Sequence, residues 1–180
     1  MKIIKGNKGF TLVELIVAVG IFVTSVTIAI GALVALYGAN NKSQSLASVI
    51  NSLSFSIENM TRDIRFATTY HCGNTGTLTQ AQNCSSGDVF LAISTSTTPI
   101  IYRFQSGKLT KSYNNGSTYT DVTSSEVTIE YAKFFVYYST PGDVFQPHVL
   151  LVLRGYSGEK PSEQSRFDIQ TVISQRSLDL

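Results

Sequence analysis

One stretch near the start of the chain consists almost entirely of apolar residues. No charged side chain occurs from Leu15 to Asn41. As an α-helix rising about 1.5 Å per residue, a segment of this length spans the ~30 Å hydrocarbon core of a bilayer. A helix in the core of a soluble protein would normally keep a polar face. The pattern therefore predicts a membrane-spanning helix.

The helical period continues after Lys42, but the composition becomes amphipathic. The apolar stripe consists of Leu46, Val49, Ile50, Leu53, Ile57, Met60 and Ile64. The opposite side holds Ser45, Ser48, Ser52, Ser56, Glu58 and Asp63. We therefore expect one continuous helix from about Phe10 to about Phe66, whose second half packs on a sheet.

Beyond Ala67 the helical period ends and short β-prone segments follow. The six predicted strands are Asp88–Ser94, Pro99–Gln105, Lys108–Tyr113, Glu126–Tyr138, His148–Tyr156 and Ser165–Arg176. A long amino-terminal helix followed only by strands predicts an α+β fold, with the helix packed on an antiparallel β-sheet.

Two of these strands carry additional information. The apolar phase shifts within Glu126–Tyr138, which predicts a bulge near Ala132–Lys133 or a break into two strands. The segment Val149–Leu153 is apolar on both faces, so it is expected to be a central strand under the helix.

The formal net charge of +2 is unevenly distributed. Lys2, Lys5 and Lys8 precede the apolar stretch, and no acid accompanies them. Without these three, 11 of the 14 basic residues remain, and the 12 acidic residues outnumber them. Positive charge before the span predicts a cytoplasmic amino terminus, with the rest of the chain outside the cytoplasm. Since the basic excess is not on the folded part, nucleic acid is not specifically indicated as a partner.

Glu14 lies where the apolar stretch begins. A carboxylate in hydrocarbon costs at least a few kcal/mol, so Glu14 is either a functional group or a side chain that reaches the interface. The run KGFTLVE at residues 8–14 follows a short basic leader and precedes the apolar helix. This combination resembles the processing site of type IV prepilins and type II secretion pseudopilins.

The resemblance implies a division of the chain and the pilin fold. A prepilin peptidase would cut between Gly9 and Phe10, and the new amino group of Phe10 would be N-methylated. Residues 1–9 would be the leader, 10–41 the transmembrane and assembly half of the helix, and 42–180 the extracytoplasmic head.

The resemblance also implies a structural role in a filament. Glu14 of one subunit would neutralise the Phe10 amine of its neighbour, and this head-to-tail contact does not close. The implied partners are other pilin subunits, the prepilin peptidase, an inner-membrane assembly platform, and membrane lipid before assembly. The filament would lie at the cell surface or in the periplasm.

The pilin subtype and the biological role of the filament stay open. Ile57–Arg65 and Gln170–Arg176 are loosely similar to minor pilins of the J-type pseudopilin group. Adhesion, motility, secretion and DNA uptake are all compatible with the pattern, and so are major and minor subunits.

Two other classes of protein compete with a filament subunit. One is a single-pass, membrane-anchored extracytoplasmic binding protein that never polymerises, and the weaker one is an anchored enzyme. No nucleophile elbow, zinc-protease helix motif or phosphate-binding glycine loop occurs in the sequence. We therefore expect neither catalytic residues nor a cofactor.

Cys72 and Cys84 are the only cysteines, and eleven residues separate them. Both follow the predicted span, on the side where disulfides persist. A bridge would contribute about 3 kcal/mol on the chain-entropy model. A metal site is the alternative because His71 is adjacent, but structural zinc needs four ligands and His148 is the only other histidine. We expect a disulfide and no metal.

Overall fold

A single α-helix, α1, runs from Leu12 to Phe66. The computed structural model describes residues 9–95, 98–142, 144–158, 160–161 and 164–176. The predicted continuous helix is confirmed. It ends at Phe66 as expected and begins at Leu12, two residues after the expected start. The leader lysines Lys2, Lys5 and Lys8 lie outside the described residues.

The contacts of the chain separate into two units, Met1–Asn41 and Lys42–Leu180. In the first unit the described residues up to 40 are exposed along their whole length. In the second unit α1 is amphipathic and packs against strands. The change coincides with the end of the uncharged stretch, because only the second half of the helix presents one apolar face.

Among the described residues, nine strands follow the helix and form two antiparallel sheets. They are β1 (Thr69–Cys72), β2 (Cys84–Asp88), β3 (Phe90–Ser94), β4 (Ile100–Gln105), β5 (Lys108–Ser112), β6 (Thr120–Asp121), β7 (Val127–Tyr137), β8 (His148–Ser157) and β9 (Ser165–Ser174). The order in sheet A is β1-β3-β4-β5-β6, and the order in sheet B is β2-β7-β8-β9. The α+β class is confirmed, but the expected single sheet is in fact two.

All six predicted strands are present, with one correction at Asp88. The predicted strand Asp88–Ser94 begins too early, because Asp88 ends β2 in sheet B whereas Phe90 begins β3 in sheet A. Strands β1, β2 and β6 were not predicted. The chain thus changes sheets within three residues.

The predicted bulge in β7 exists, but it lies earlier than expected. Register with β8 shifts between Ile129 and Tyr131 rather than at Ala132–Lys133. The strand continues through the bulge to Tyr137 without a break. This extra residue turns Ala132, Phe134 and Val136 onto the buried face, which accounts for the phase shift in the sequence.

Strand β8 is central in sheet B, between β7 and β9. Val149, Leu151 and Leu153 are buried in the core that α1 also enters. Leu150 and Val152 on the other face are only half-buried. The expectation of a central strand is confirmed, although one of its apolar faces is incompletely covered.

The buried face of α1 is rotated relative to the predicted stripe. Leu46 and Ile50 are 47% and 55% exposed, whereas Ser56 is buried. The Ser56 hydroxyl lies 2.7 Å from the carbonyl oxygen of Ser52 and 2.7 Å from that of Val122, so its one hydrogen has an acceptor in either direction. Since these bonds satisfy its hydroxyl, Ser56 can occupy a position that the apolar pattern did not assign to the core.

A buried polar cluster joins α1 to sheet A. The carboxylate of Asp63 accepts hydrogen bonds from Lys111 Nζ and from the hydroxyl of Tyr102. Tyr102 is fully buried and Lys111 is 9% exposed. Burial raises the pKa of Tyr102, and its hydrogen bond to Asp63 and the charge of Asp63 raise it further. The sequence predicts Asp63 on the solvent side of the helix, and the structure corrects this: its side chain is only 24% exposed and bonds to sheet A.

Removing Asp63 should therefore destabilise the head far more than removing an exposed acid on the same helix. Asp63→Ala leaves the Lys111 ammonium buried without its partner, and we expect a loss of about 3–5 kcal/mol in the free energy of unfolding. Urea denaturation of the full chain in detergent, followed by tyrosine fluorescence, measures it.

Glu58→Ala is the matched control, because Glu58 lies 3.9 Å from Arg62 in an exposed pair. Its loss should cost about 0.5 kcal/mol or less. Replacing Asp63, Lys111 and Tyr102 together by Leu, Met and Phe should recover most of the stability. Equal effects of the two alanine variants would contradict the role assigned to the buried cluster.

Candidate functional site

The segment from Gly9 to Leu15 contains the start of α1. Gly9 and Phe10 are non-helical, and Phe10 is 79% exposed. The backbone N–H of Glu14 donates to Thr11 Oγ1 at 3.3 Å, and that of Leu15 donates to the Thr11 carbonyl at 3.2 Å. Thr11 is therefore the N-cap residue, and α1 begins directly after it.

Thr11 and Glu14 have the spacing of a capping box, in which the third helical residue is Glu or Gln. The carboxylate of Glu14 also lies in the first turn, where the helix dipole favours negative charge. Sequence reasoning missed Thr11, although the pattern Thr-x-x-Glu would have identified it. Glu14 thus has a reason to be acidic within its own chain, independent of any neighbour.

The bond between Gly9 and Phe10 precedes the first helical residue by two positions. Both residues are exposed and lie outside regular structure, so no helical hydrogen bond involves this peptide group. Phe10 and Glu14 lie on either side of the cap at the same end of the helix.

The first half of α1 satisfies its own polar groups. The Thr24 hydroxyl donates to the Ile21 carbonyl at 2.9 Å, and the Ser25 hydroxyl donates to the same carbonyl at 2.8 Å. The Thr27 hydroxyl donates to the Val23 carbonyl at 2.8 Å. Such internal bonds suit an environment without water. By length and composition α1 qualifies as a membrane span, with a mean hydropathy of 2.4 in its most apolar window.

Cys72 and Cys84 form a disulfide, with a Cα–Cα distance of 5.8 Å. Cys72 ends β1 and Cys84 begins β2, so the bond joins sheet A to sheet B. The closed loop, residues 73–83, is anchored further because the Cys72 N–H donates to the Gln82 carbonyl at 3.1 Å. The link between two sheets is a feature that cysteine spacing alone did not predict.

His71 is engaged by the disulfide loop. Its side chain is buried, with Nδ1 2.9 Å from the Gln80 carbonyl oxygen and Nε2 2.8 Å from the Thr75 carbonyl oxygen. Both ring nitrogens thus lie within hydrogen-bond distance of loop carbonyl oxygens. His71 therefore holds the loop. Within the described parts of the chain, no group of three or more His, Cys, Asp or Glu side chains is placed to hold a metal ion.

These features define a class of protein. A long helix with an exposed apolar first half and an amphipathic second half on antiparallel sheets is a pilin-like α+β arrangement, and its apolar half fits a membrane anchor. The family model described as the prokaryotic N-terminal methylation motif matches residues 4–30.

This motif is characteristic of type IV pilins and pseudopilins, so the chain resembles those proteins at its amino terminus. No curated protein and no solved structure matches the chain significantly.

Loss of the disulfide should destabilise the head. For the variant with Cys72→Ser and Cys84→Ser, we expect the free energy of unfolding to fall by about 3 kcal/mol, because the unfolded chain regains the freedom of the loop. Urea denaturation of the full chain in detergent measures this change. Wild-type protein treated with a reductant should shift by a similar amount, and unchanged stability in both cases would argue against a structural bridge.

Proposed function

We propose that this protein is a structural subunit of a type IV pilus-like or type II secretion pseudopilus filament. The observation that carries the proposal is the methylation motif at residues 4–30, which covers the start of an uncharged helical stretch whose side chains are exposed in the single chain. Such a surface needs lipid or other subunits around it, because water solvates it poorly. A filament core of packed helices provides this cover after the subunit leaves the bilayer.

Processing is the first step of the proposed mechanism. A prepilin peptidase cuts between Gly9 and Phe10 on the cytoplasmic side, and the amino group of Phe10 is then methylated. The cut removes Lys2, Lys5 and Lys8, whose charge had oriented the helix. The anchor itself stays in the membrane.

Assembly is the second step, and it depends on opposite charges. The Phe10 ammonium of an incoming subunit meets Glu14 of its neighbour in a medium of low dielectric constant, where unpaired charges are costly. This contact joins two different surfaces, so copies add in a staggered series and build a filament. An inner-membrane assembly platform would extract the subunits, and the heads would face outward.

Processing can be tested by mass spectrometry of the mature amino terminus. We expect material from filaments or membranes to begin at methylated Phe10 when the prepilin peptidase is present. Without the peptidase it should begin at Met1. Gly9→Ala, which adds a single methyl group at the cleaved position, should reduce cleavage. Gly20→Ala should not, because it lies away from the cleaved bond; a Cβ at either position meets nothing within 4 Å in the single chain.

An intact Met1 in cells with an active peptidase would favour the competing class, a membrane-anchored binding protein that does not polymerise. Membrane association alone would not distinguish the two classes, since both have the same anchor. The start of the mature chain is therefore the decisive measurement.

The charge of Glu14 can be separated from its capping role. Glu14→Gln retains a side chain that completes a capping box but removes the charge. We expect it to insert into the membrane normally, yet to give at least about tenfold fewer subunits in sheared filaments, because the Phe10 amine lacks a counter-charge.

Thr11→Ala is the matched control, since it removes the cap hydrogen bond and keeps the charge. It should assemble far better than Glu14→Gln. If Glu14→Gln assembles like the wild type while Thr11→Ala does not, Glu14 acts in helix capping and the intermolecular pair is wrong.

A further inference from the structure

Arg103 on β4 occupies an unusual position on the outer face of sheet A. Its neighbour Tyr102 points into the main core, so alternation places Arg103 on the opposite face. The guanidinium carbon lies 3.7 Å from the centroid of the Tyr119 ring. The backbone is also fixed, because Thr110 Oγ1 donates to the Arg103 carbonyl at 3.1 Å. The guanidinium plane is therefore held by stacking.

The Nε atom of Arg103 is buried and has no hydrogen-bond partner among the described residues. No described carboxylate lies within 4 Å of its guanidinium nitrogens. Arg154 on β8 provides a contrast, because it is bonded to Asp168 at 2.9 Å. Nε itself has almost no accessible surface, so a ligand can reach Arg103 only at its terminal guanidinium nitrogens, which are not among the buried unpartnered atoms. Arg103 is thus an arginine without a counter-charge among the described residues.

A cleft of about 360 Å³ adjoins Arg103. Its walls are Asn74, Asp88, Val89, Phe90, Phe104, Gln105 and Arg103 itself. This volume is in the range of about 300–1,000 Å³ in which proteins bind small molecules. Asn74 comes from the disulfide loop, so the bridge between Cys72 and Cys84 also helps to position one wall.

The polar groups of the cleft restrict the chemistry of its ligand. Arg103 offers a planar set of donors, which suits a carboxylate. Asp88 uses Oδ1 to accept from the Phe90 N–H at 2.9 Å, and its carboxylate repels a simple anion. A ligand with hydroxyl groups can donate to that same carboxylate. A neutral sugar would satisfy Asp88 but leave Arg103 without a counter-charge.

We propose that this cleft binds a carboxylated sugar unit, such as a uronic acid in an acidic polysaccharide. The sugar carboxylate bonds to Arg103, and a hydroxyl donates to Asp88. The amides of Asn74 and Gln105 bond to further hydroxyls, and Phe90 supplies apolar contact. The site lies wholly within the head and requires no filament, so it goes beyond the proposed function and is tested separately from it.

The first test compares ligands on the wild-type protein, so it does not depend on any variant folding. Calorimetric titration of the full chain in detergent uses sodium glucuronate, glucose and inorganic phosphate as probes. We expect glucuronate to bind at least about tenfold more tightly than either of the others, because only it carries both a carboxylate and hydroxyls. Equal binding of glucose, tighter binding of phosphate, or no binding of glucuronate at millimolar concentration would overturn the proposal.

The second test uses a matched pair of arginines. Arg103→Gln should weaken glucuronate binding at least about tenfold, since a charge-assisted pair is lost. Arg154→Gln removes an exposed arginine of the other sheet and should leave the affinity unchanged. Arg103→Lys keeps the charge without the planar donor set and should fall between the wild type and Arg103→Gln. Unaltered affinity in Arg103→Gln, at wild-type thermal stability, would exclude Arg103 as the anchor.

Discussion

The rest of the molecule depends on one constraint: the first half of α1 has no polar face. An exposed, uncharged helix of this length is poorly solvated by water, so it needs either a bilayer or similar helices packed around it. Its few hydroxyls, such as those of Thr24 and Ser25, bond to carbonyls of the helix itself. The capping pair, Thr11 and Glu14, then places the only carboxylate of this segment where the helix dipole stabilises it. Glu14 can therefore stabilise the helix end and, in the proposed filament, also pair with a neighbouring subunit.

The second half of α1 is different, because it lies beyond the uncharged stretch and must bury only its apolar face. The two sheets supply that cover, and the main core combines Leu53, Met60 and Ile64 with strands of both sheets. Asp63 adds a polar tie to sheet A through Lys111, which lies 48 residues later in the chain. Such a buried pair does little for stability compared with apolar packing, but it is intolerant of partial removal. It therefore favours one position of the helix on the sheet.

The sequence predicts those features whose signal lies within one segment of the chain. The helix and the six predicted strands have an apolar pattern that a single segment displays, and the motif around Gly9 and Phe10 is contiguous. Strands β1 and β6 escaped prediction because they are short, with four and two residues, and β2 escaped because its sequence is polar. The burial of Ser56, the contact of Asp63 with sheet A, the division into two sheets, and the position of Arg103 over Tyr119 depend on partners distant in the chain. No local pattern contains that information.

The proposed assembly contact and the proposed binding site lie in different parts of the chain. The assembly proposal rests on residues near the amino terminus, where a family motif matches. The head has a disulfide between its sheets, and the loop of residues 73–83 contributes Asn74 to the cleft beside Arg103. Because function resides in sites placed on a fold, such a head can carry binding chemistry that is separate from the proposed assembly. In that cleft the guanidinium of Arg103 lies over the Tyr119 ring, so its position is set before any ligand arrives.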